Sequence, residues 1–248
     1  MGTDGGEAAA ISPLPAVAWD QIQPQRSYLE ELTSNPKIRQ VCPDVDRIAR
    51  DVRFKAQELE FVDAAEPLVA AIGDADGLCA VVAYTHDLQN GTKEGNLYFE
   101  QNKQLRDRSQ DGRQQLRETW GVCVHYLLRA LQRLPHFVGI CYRGFPSSDR
   151  DVILKQYKKG RPIQWGAFTS TTTDIEAARR FAGPGGVVIK MDVTDGKDIC
   201  PLSFFARESE ILLSPSHKFF VTSETGGYDD AGYRTVDLLQ QEGGWFIS

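Results

Sequence analysis

Three short segments hold residues able to do chemistry, and they follow one another along the chain: Tyr142-Arg143-Gly144, Phe168-Thr169-Ser170-Thr171-Thr172 and Glu208-Ser209-Glu210. Arg143 and Ser170 are 27 residues apart, and Ser170 and Glu210 are 40 apart. An arginine at a strand end, beside a glycine that lets a ligand approach the backbone, suits a phosphate or pyrophosphate. Paired with a carboxylate, it would be structural instead. The hydroxyl cluster could orient a carboxylate or bind a ribose, and it equally supplies β propensity and a cap for a following helix. On a strand, Glu208 and Glu210 point to the same face, with Cα atoms about 6.6 Å apart at ~3.3 Å per residue. Two such acids repel unless a cation or a hydrogen-bonded ligand shares them; the alternative is a solvated acidic edge. Ile211-Leu212-Leu213 reads as a core strand that the acids lead into. Ile211 and Leu213 can point inward only if the strand bends or flips face just after the pair.

The elements that must carry these residues are legible from hydrophobic period. Ser27 to about Ile72 is helical in pattern, with Asp44 or Asp46 able to cap a helix through Ile48, Val52, Phe54, Leu59 and Phe61. Helical runs cover Leu78–Tyr84 and Leu97–Arg106. The longest begins near Gln114, where Leu116, Trp120, Cys123, Val124, Leu127, Leu131 and Leu134 recur at three- and four-residue steps until Pro135. After Pro135 the period changes. Strands are expected at Phe137–Tyr142, at 163–170, at Val187–Met191, and near 207–213, 217–223 and 232–239. Short helices are expected from Ser148 to Gly160 and over 174–182, the second followed by the loop Gly183-Pro184-Gly185-Gly186. A helical first half followed by a β-rich second half makes the class α+β. The expected organisation is a flexible tail over 1–25, a helical region over 26–80 and a catalytic domain over 81–248.

Bulk properties narrow the function. The 248 residues, 41% of them hydrophobic, suffice for one sizeable core. A net charge of −6 disfavours nucleic-acid binding, which depends on Lys and Arg against phosphate. No apolar run reaches the roughly 18 residues that span a bilayer. Met1 to Pro15 lacks the basic and apolar regions of a secretory signal, and Gly6 breaks a myristoylation pattern. The five cysteines, Cys42, Cys79, Cys123, Cys141 and Cys200, are spread out, odd in number and without a CxxC pair. They read as small buried hydrophobes in a reducing compartment rather than a zinc site or disulfide framework. The four histidines show no metal-ligand spacing, so no metal is expected. The expectation is a monomer that engages neither membrane nor nucleic acid and is cytoplasmic, with delivery or secretion without a classical signal peptide as the alternative.

Taken together and in this order, the three segments resemble the Arg–Ser–Glu class of mono-ADP-ribosyltransferases, and the paired glutamates resemble its arginine-modifying branch. Phe168 to Thr172 is similar to that class's aromatic–x–Ser–Thr–Ser segment, and Glu208-Ser209-Glu210-Ile211-Leu212 to its E-x-E followed by apolar residues. Tyr84-Thr85, Leu97-Tyr98, Asn102, Leu105-Arg106, Leu128, Ala130-Leu131, Leu134-Pro135 and Ser203 extend the likeness, which covers about 78–240. Residues 1–77 resemble nothing comparable. Thr172 stands where the family has a second Ser, which keeps the hydroxyl. The signal peptide and lipid-anchor tail of the cell-surface members are missing, which argues against an extracellular location.

The resemblance implies a helical layer packed on two perpendicular antiparallel sheets, with NAD as co-substrate in the cleft between them. It further implies that Arg143 holds the NAD phosphates and that Gly144 offers its backbone to the nicotinamide amide. Ser170 would fix Glu210 and the nicotinamide ribose, Glu210 would be the catalytic glutamate, and Glu208 would select an acceptor arginine on a target protein. Phe181 is implied to stack on the nicotinamide, and Tyr84 and Ser203 to touch NAD. Breaking the nicotinamide–ribose bond builds an oxocarbenium-like positive charge, which a fixed carboxylate stabilises where it develops. An NAD glycohydrolase, a transferase to a non-arginine acceptor such as a nucleic-acid base and a binding module that has lost chemistry are the alternatives; Glu208 weighs against the first two, the acidic charge against the base acceptor, and an intact Arg143, Ser170 and Glu210 against the third.

Overall fold

The computed structural model describes residues 19–206, 208–215, 217–223 and 227–241 of the chain. Residues 1–18 of the expected tail lie outside the described residues. From Trp19 onward the tail reading is corrected. Trp19 forms a short 3₁₀ turn with Asp20 and Gln21, is buried in the helical core, and its carbonyl accepts a 2.8 Å hydrogen bond from His125 Nδ1.

Seven α-helices precede the first strand among the described residues: α1 Tyr28–Ser34, α2 Pro36–Val41, α3 Val45–Leu59, α4 Glu66–Ile72, α5 Ala75–Tyr84, α6 Leu97–Arg106 and α7 Gln110–Arg133. Their ends follow capping chemistry. Ser27 and Glu30 form a reciprocal capping box on α1, Asp74 accepts from Gly77 N at the start of α5, and Ser109 accepts from Gly112 N at the start of α7. The Ser109 cap starts α7 four residues before the expected Gln114. On α3, Ile48, Val52, Ala56 and Leu59 face the core, whereas Phe54 and Phe61 are exposed. That corrects the expected apolar face: Phe54 lies two residues from both Val52 and Ala56, on the opposite side, and Phe61 falls beyond the last turn. Asp44 precedes α3 but makes no side-chain cap. The central helix α5 is buried from Gly77 to Tyr84. A Cβ at Gly77 would lie 3.2 Å from Ala130 Cβ, so glycine lets α5 and α7 approach closely.

The second half carries α8 Arg150–Gln156, α9 Ile175–Ala182 and the strands β1 Phe137–Phe145, β2 Pro162–Gln164, β3 Thr169–Thr172, β4 Val187–Asp198, β5 Glu210–Leu213, β6 Lys218–Val221, β7 Gly227–Tyr228 and β8 Arg234–Gln240. They pair in the order β1-β3-β5-β4-β8-β6-β2, with β7 on β8 and a further β1–β4 pairing. Among the described residues every pairing is antiparallel except β4–β8, which is parallel and corrects the all-antiparallel expectation. The strand expected over 163–170 is two strands. β2 pairs with β6, while β3 pairs with β1 and β5, so the chain crosses between neighbours at Trp165–Phe168. Conversely, β4 runs to Asp198, well past the apolar run, because its far end pairs with β5.

Among the described residues two large cores flank this network, and a small third cluster of Ala178, Ala182 and Val188 seats α9. Of the large cores, one joins the helices to Phe168, Ile199, Leu202 and Leu212; the other lies between the strands and α8 and includes Cys141, Val187, Ile189, Met191, Ile211, Leu213 and Phe219. Strand β5 therefore contributes to both, Leu212 on one side and Ile211 and Leu213 on the other, and all four of its residues are buried. A buried lysine crosses the same divide: Lys197 on β4 donates from Nζ to Leu134 O at the end of α7, 2.6 Å away. All five cysteines are free; four are buried and Cys200 is half-buried. No single helix among the described residues is long and apolar enough to cross a membrane.

Candidate active site

Arg143, Ser170 and Glu210 come from three paired strands. In the β3–β5 ladder Thr172 lies opposite Glu210 and Ser170 opposite Leu212. Ser170 and Glu210 are thus diagonal neighbours on one face, within reach of one another, and Ser170 favours the charged form of the Glu210 carboxylate. Arg143, near the end of β1, donates from Nη1 to Ser170 O at 2.6 Å, and its guanidinium lies 5.3 Å from the Phe145 ring centre. Burial holds its pKa below the ordinary guanidinium range; nearby Arg106 acts the same way, while Tyr84, Tyr157 and Glu210 oppose.

Tyr84, the last residue of α5, closes the site from the helical layer. Its hydroxyl accepts from Asn102 Nδ2 at 3.0 Å, and its ring lies 5.5 Å from that of Phe168. Burial is the main cause that pushes its pKa up to about 12, so it stays a neutral phenol. Glu210 is only 9% exposed. Burial first, and then Glu208, push its pKa from the ordinary 4.5 up to about 7, against the hydrogen bond from Ser170 and the charge of Arg143.

Glu208 departs from the expected geometry. Strand β5 begins at Glu210, and Ser209 adopts a left-handed φ of 48°. The two glutamates therefore do not alternate on a regular strand: Glu208 stands exposed on a bend while Glu210 is buried. The bend is held from β3. Thr172 Oγ1 donates to Glu208 O at 2.8 Å, and Thr173 N donates to Ser209 O at 3.2 Å. Gly144 has a different reason to be glycine than ligand approach. A Cβ there would sit 2.1 Å from Ala178 O and 2.7 Å from Ala182 N, so its open side is filled by α9. Phe181, near the end of α9, is 74% exposed. Ser203 is buried, and its hydroxyl accepts from Phe205 N at 2.9 Å.

The structure thus brings Tyr84, Arg143, Ser170 and Glu210 together, sets Glu208 beside them on a bend, and leaves Phe181 in solvent and Ser203 inside a turn. Sequence reasoning assigned no role to Asn102, which supports Tyr84, or to the grip of Thr172 on Glu208. Asn102 had a signal: it lies one helical turn before Leu105, on the buried face of α6, where a polar residue needs a partner. The donor set fits an anionic dinucleotide, with Arg143 and Arg106 as cations, the phenol of Tyr84 and a carboxylate among them. Asn102 Oδ1 is also buried without a partner, ready for a donor. Among the described residues no group of three or more His, Cys, Asp or Glu side chains is placed to hold a metal ion.

Comparison with known proteins points the same way. A family model described as NAD:arginine ADP-ribosyltransferase matches residues 64–242. Mav of Mycobacterium avium, a candidate NAD(+)–arginine ADP-ribosyltransferase, is 36% identical over 152 residues, which is 61% of this chain and 16% of Mav. The ecto-ADP-ribosyltransferase 5 of Rattus norvegicus is 27% identical over 168 residues, 64% of this chain and 49% of that protein. This chain thus spans at most about half the length of these curated relatives. The ADP-ribosyltransferase HopU1 of Pseudomonas syringae pv. Tomato shares the fold, with a TM-score of 0.59 at 23% identity over 77% of this chain and 87% of that one.

Proposed function

Because the chain belongs to the NAD:arginine ADP-ribosyltransferase family, we propose that it transfers ADP-ribose from NAD to arginine side chains of a target protein and releases nicotinamide. One observation carries this reading: a buried carboxylate, Glu210, diagonal to Ser170 on the β3–β5 ladder, with Arg143 donating to Ser170 O and a second carboxylate, Glu208, exposed two residues away. We also read the strand network as two sheets that cross near the far end of β4, with the NAD cleft between them.

Bound NAD supplies a glycosidic bond whose breakage leaves positive charge on the ribose. Arg143, joined by Arg106, holds the phosphates, and Tyr84 walls the pocket from the helical side. Ser170 holds the Glu210 carboxylate in place before the reaction begins, so little reorganisation is needed when the ribose charge develops. Losing one such preorganised group costs roughly 2.7–4 kcal/mol, or 10²–10³ in rate. The acceptor guanidinium has a pKa above 12 and is a poor nucleophile while protonated. Exposed Glu208 grips it as a two-pronged acceptor and takes its proton as the new carbon–nitrogen bond forms. Phe181, standing in solvent, has room to turn onto the nicotinamide. Gly144 contributes through its backbone and through the seat it gives α9. Ser203 acts from beneath, through the turn it holds.

The test is transfer of labelled ADP-ribose from NAD to agmatine, wild type beside Glu210→Ala. Label on agmatine with wild type alone supports the reading. Nicotinamide release without labelled agmatine would replace it with a glycohydrolase or another acceptor, and NAD binding without release would make the chain a binding module.

A further inference from the structure

Resting on the transferase reading, a further role belongs to the end of α5 and to the helices behind it. The chain that leaves β4 passes through a 3₁₀ turn at Cys200–Leu202 and reaches Phe204 before it bends towards Glu208. Phe204 is tied to the helical layer twice. Its N–H donates to Thr85 Oγ1 at 3.2 Å, and its ring meets the His86 ring edge-on at 5.0 Å and 87°. Both anchors are themselves held. The Thr85 hydroxyl donates its own proton to Val82 O at 2.8 Å, which aims its lone pairs outward. His86 is buried, and its Nε2 lies 3.3 Å from Asp51 Oδ2 on α3. A carboxylate beside Nε2 makes that nitrogen the donor, and Nδ1 is buried with no partner, so the ring sits as the neutral Nε2–H form.

From Phe204 the path to Glu208 is short and backbone-bonded, since Glu208 N donates to Phe205 O at 3.0 Å. On its other side Glu208 is held by Thr172. Glu210, by contrast, is fixed by the β3–β5 ladder, where it pairs with Thr172. The two glutamates thus have separate supports. We propose that Thr85 and His86, backed by Asp51 of α3, are positioning residues that hold Glu208 where an acceptor guanidinium meets it. The N-terminal helices then control the choice between transfer to arginine and loss of ADP-ribose to water.

The experiment compares wild type with Thr85→Val, Thr85→Ser and His86→Ala, counting labelled agmatine and free ADP-ribose from the same NAD. Thr85→Val keeps the shape and removes the acceptor, whereas Thr85→Ser keeps it. With the loss of one hydrogen bond or ring contact, transfer to agmatine is expected to fall about tenfold through a higher KM for agmatine, while NAD cleavage to free ADP-ribose changes less than about twofold. Thr85→Ser should restore the wild-type ratio. An unchanged ratio in both Thr85→Val and His86→Ala overturns the proposal, as does a parallel fall of transfer and hydrolysis with melting temperature. Amide hydrogen exchange decides the anchor independently of turnover. Peptides covering 203–208 should exchange faster in Thr85→Val and His86→Ala while those of β5 do not, and equal exchange would sink it. A wild type that never labels agmatine counts against the transferase reading, and exchange then decides the anchor alone.

Discussion

Glu210 is the residue whose chemistry and cost are most closely joined. Its pKa of about 7 lies above the ordinary 4.5 chiefly through burial. A carboxyl with a raised folded-state pKa contributes stability that is complete below about 4.5 and is lost as pH rises through about 7. Glu210→Gln carries no such charge. Its melting temperature should part from that of wild type between these pH values, with the variant ahead by on the order of 3 kcal/mol above pH 7. Differential scanning calorimetry at pH 4, 6 and 8 checks this, and a constant gap would show that the Glu210 carboxyl does not titrate in this window. Activity should run the other way. The carboxylate is the useful form, so kcat/KM for NAD cleavage should rise with pH through about 7. Glu208 belongs to a different class because it is exposed on a bend. Glu208→Gln should lose arginine transfer by 10²-fold or more yet retain NAD hydrolysis, as expected when a general base is removed. Normal transfer to agmatine would remove Glu208 from the acceptor site.

At the scale of elements, the site depends on how closely α9 and β3 approach their neighbours. Gly144→Ala would drive a Cβ into the α9 backbone, 2.1 Å from Ala178 O, and neither partner is a flexible side-chain end. The helix must lift from β1, which should cost at least 1–3 kcal/mol of stability and weaken NAD binding. Urea denaturation and NAD titration measure the two effects. Thr172 is the corresponding device on β3. Its hydroxyl joins Glu208 O to Asp174 N, which donates to it at 3.0 Å. Thr172→Val should reduce transfer about tenfold, the worth of a hydrogen bond near 1 kcal/mol or slightly more, and Thr172→Ser should not. Here the sequence was partly readable. The hydroxyl cluster announced local hydrogen bonding, but which backbone groups it would meet depended on a bend 36 residues away.

For the whole molecule, the helical layer and the strands share a core. Trp19, Leu32, Ile48, Val52 and Ile72 belong to the same buried cluster as Tyr84, Phe168 and Leu212. We propose that the helical region and the catalytic part fold as one cooperative unit. Trp19→Ala should then lower stability by roughly 3–5 kcal/mol, and a chain begun at residue 81 should fail to give a cooperative thermal transition. Circular dichroism on both chains tests this; a cooperative, NAD-binding fragment from residue 81 would show that the first helices are dispensable.

What the sequence determined by itself is the local and the repetitive. The apolar period of α7 and the buried run of β4 can be read without a fold, because each depends on residues a few positions apart, and the three segments holding Arg143, Ser170 and Glu210 can be read from their own short patterns and their order. The tertiary structure decided what depends on distant partners. Ser209 takes a left-handed φ of 48° because Thr172 and Thr173 grip the backbone on either side of it. Gly144 is glycine because α9 lies against it, and Phe204 is fixed by Thr85, 119 residues earlier in the chain. A periodicity carries the face of an element, but not the distance at which another element will meet it. That distance sets the burial of Glu210, the exposure of Glu208 and the separate support of each.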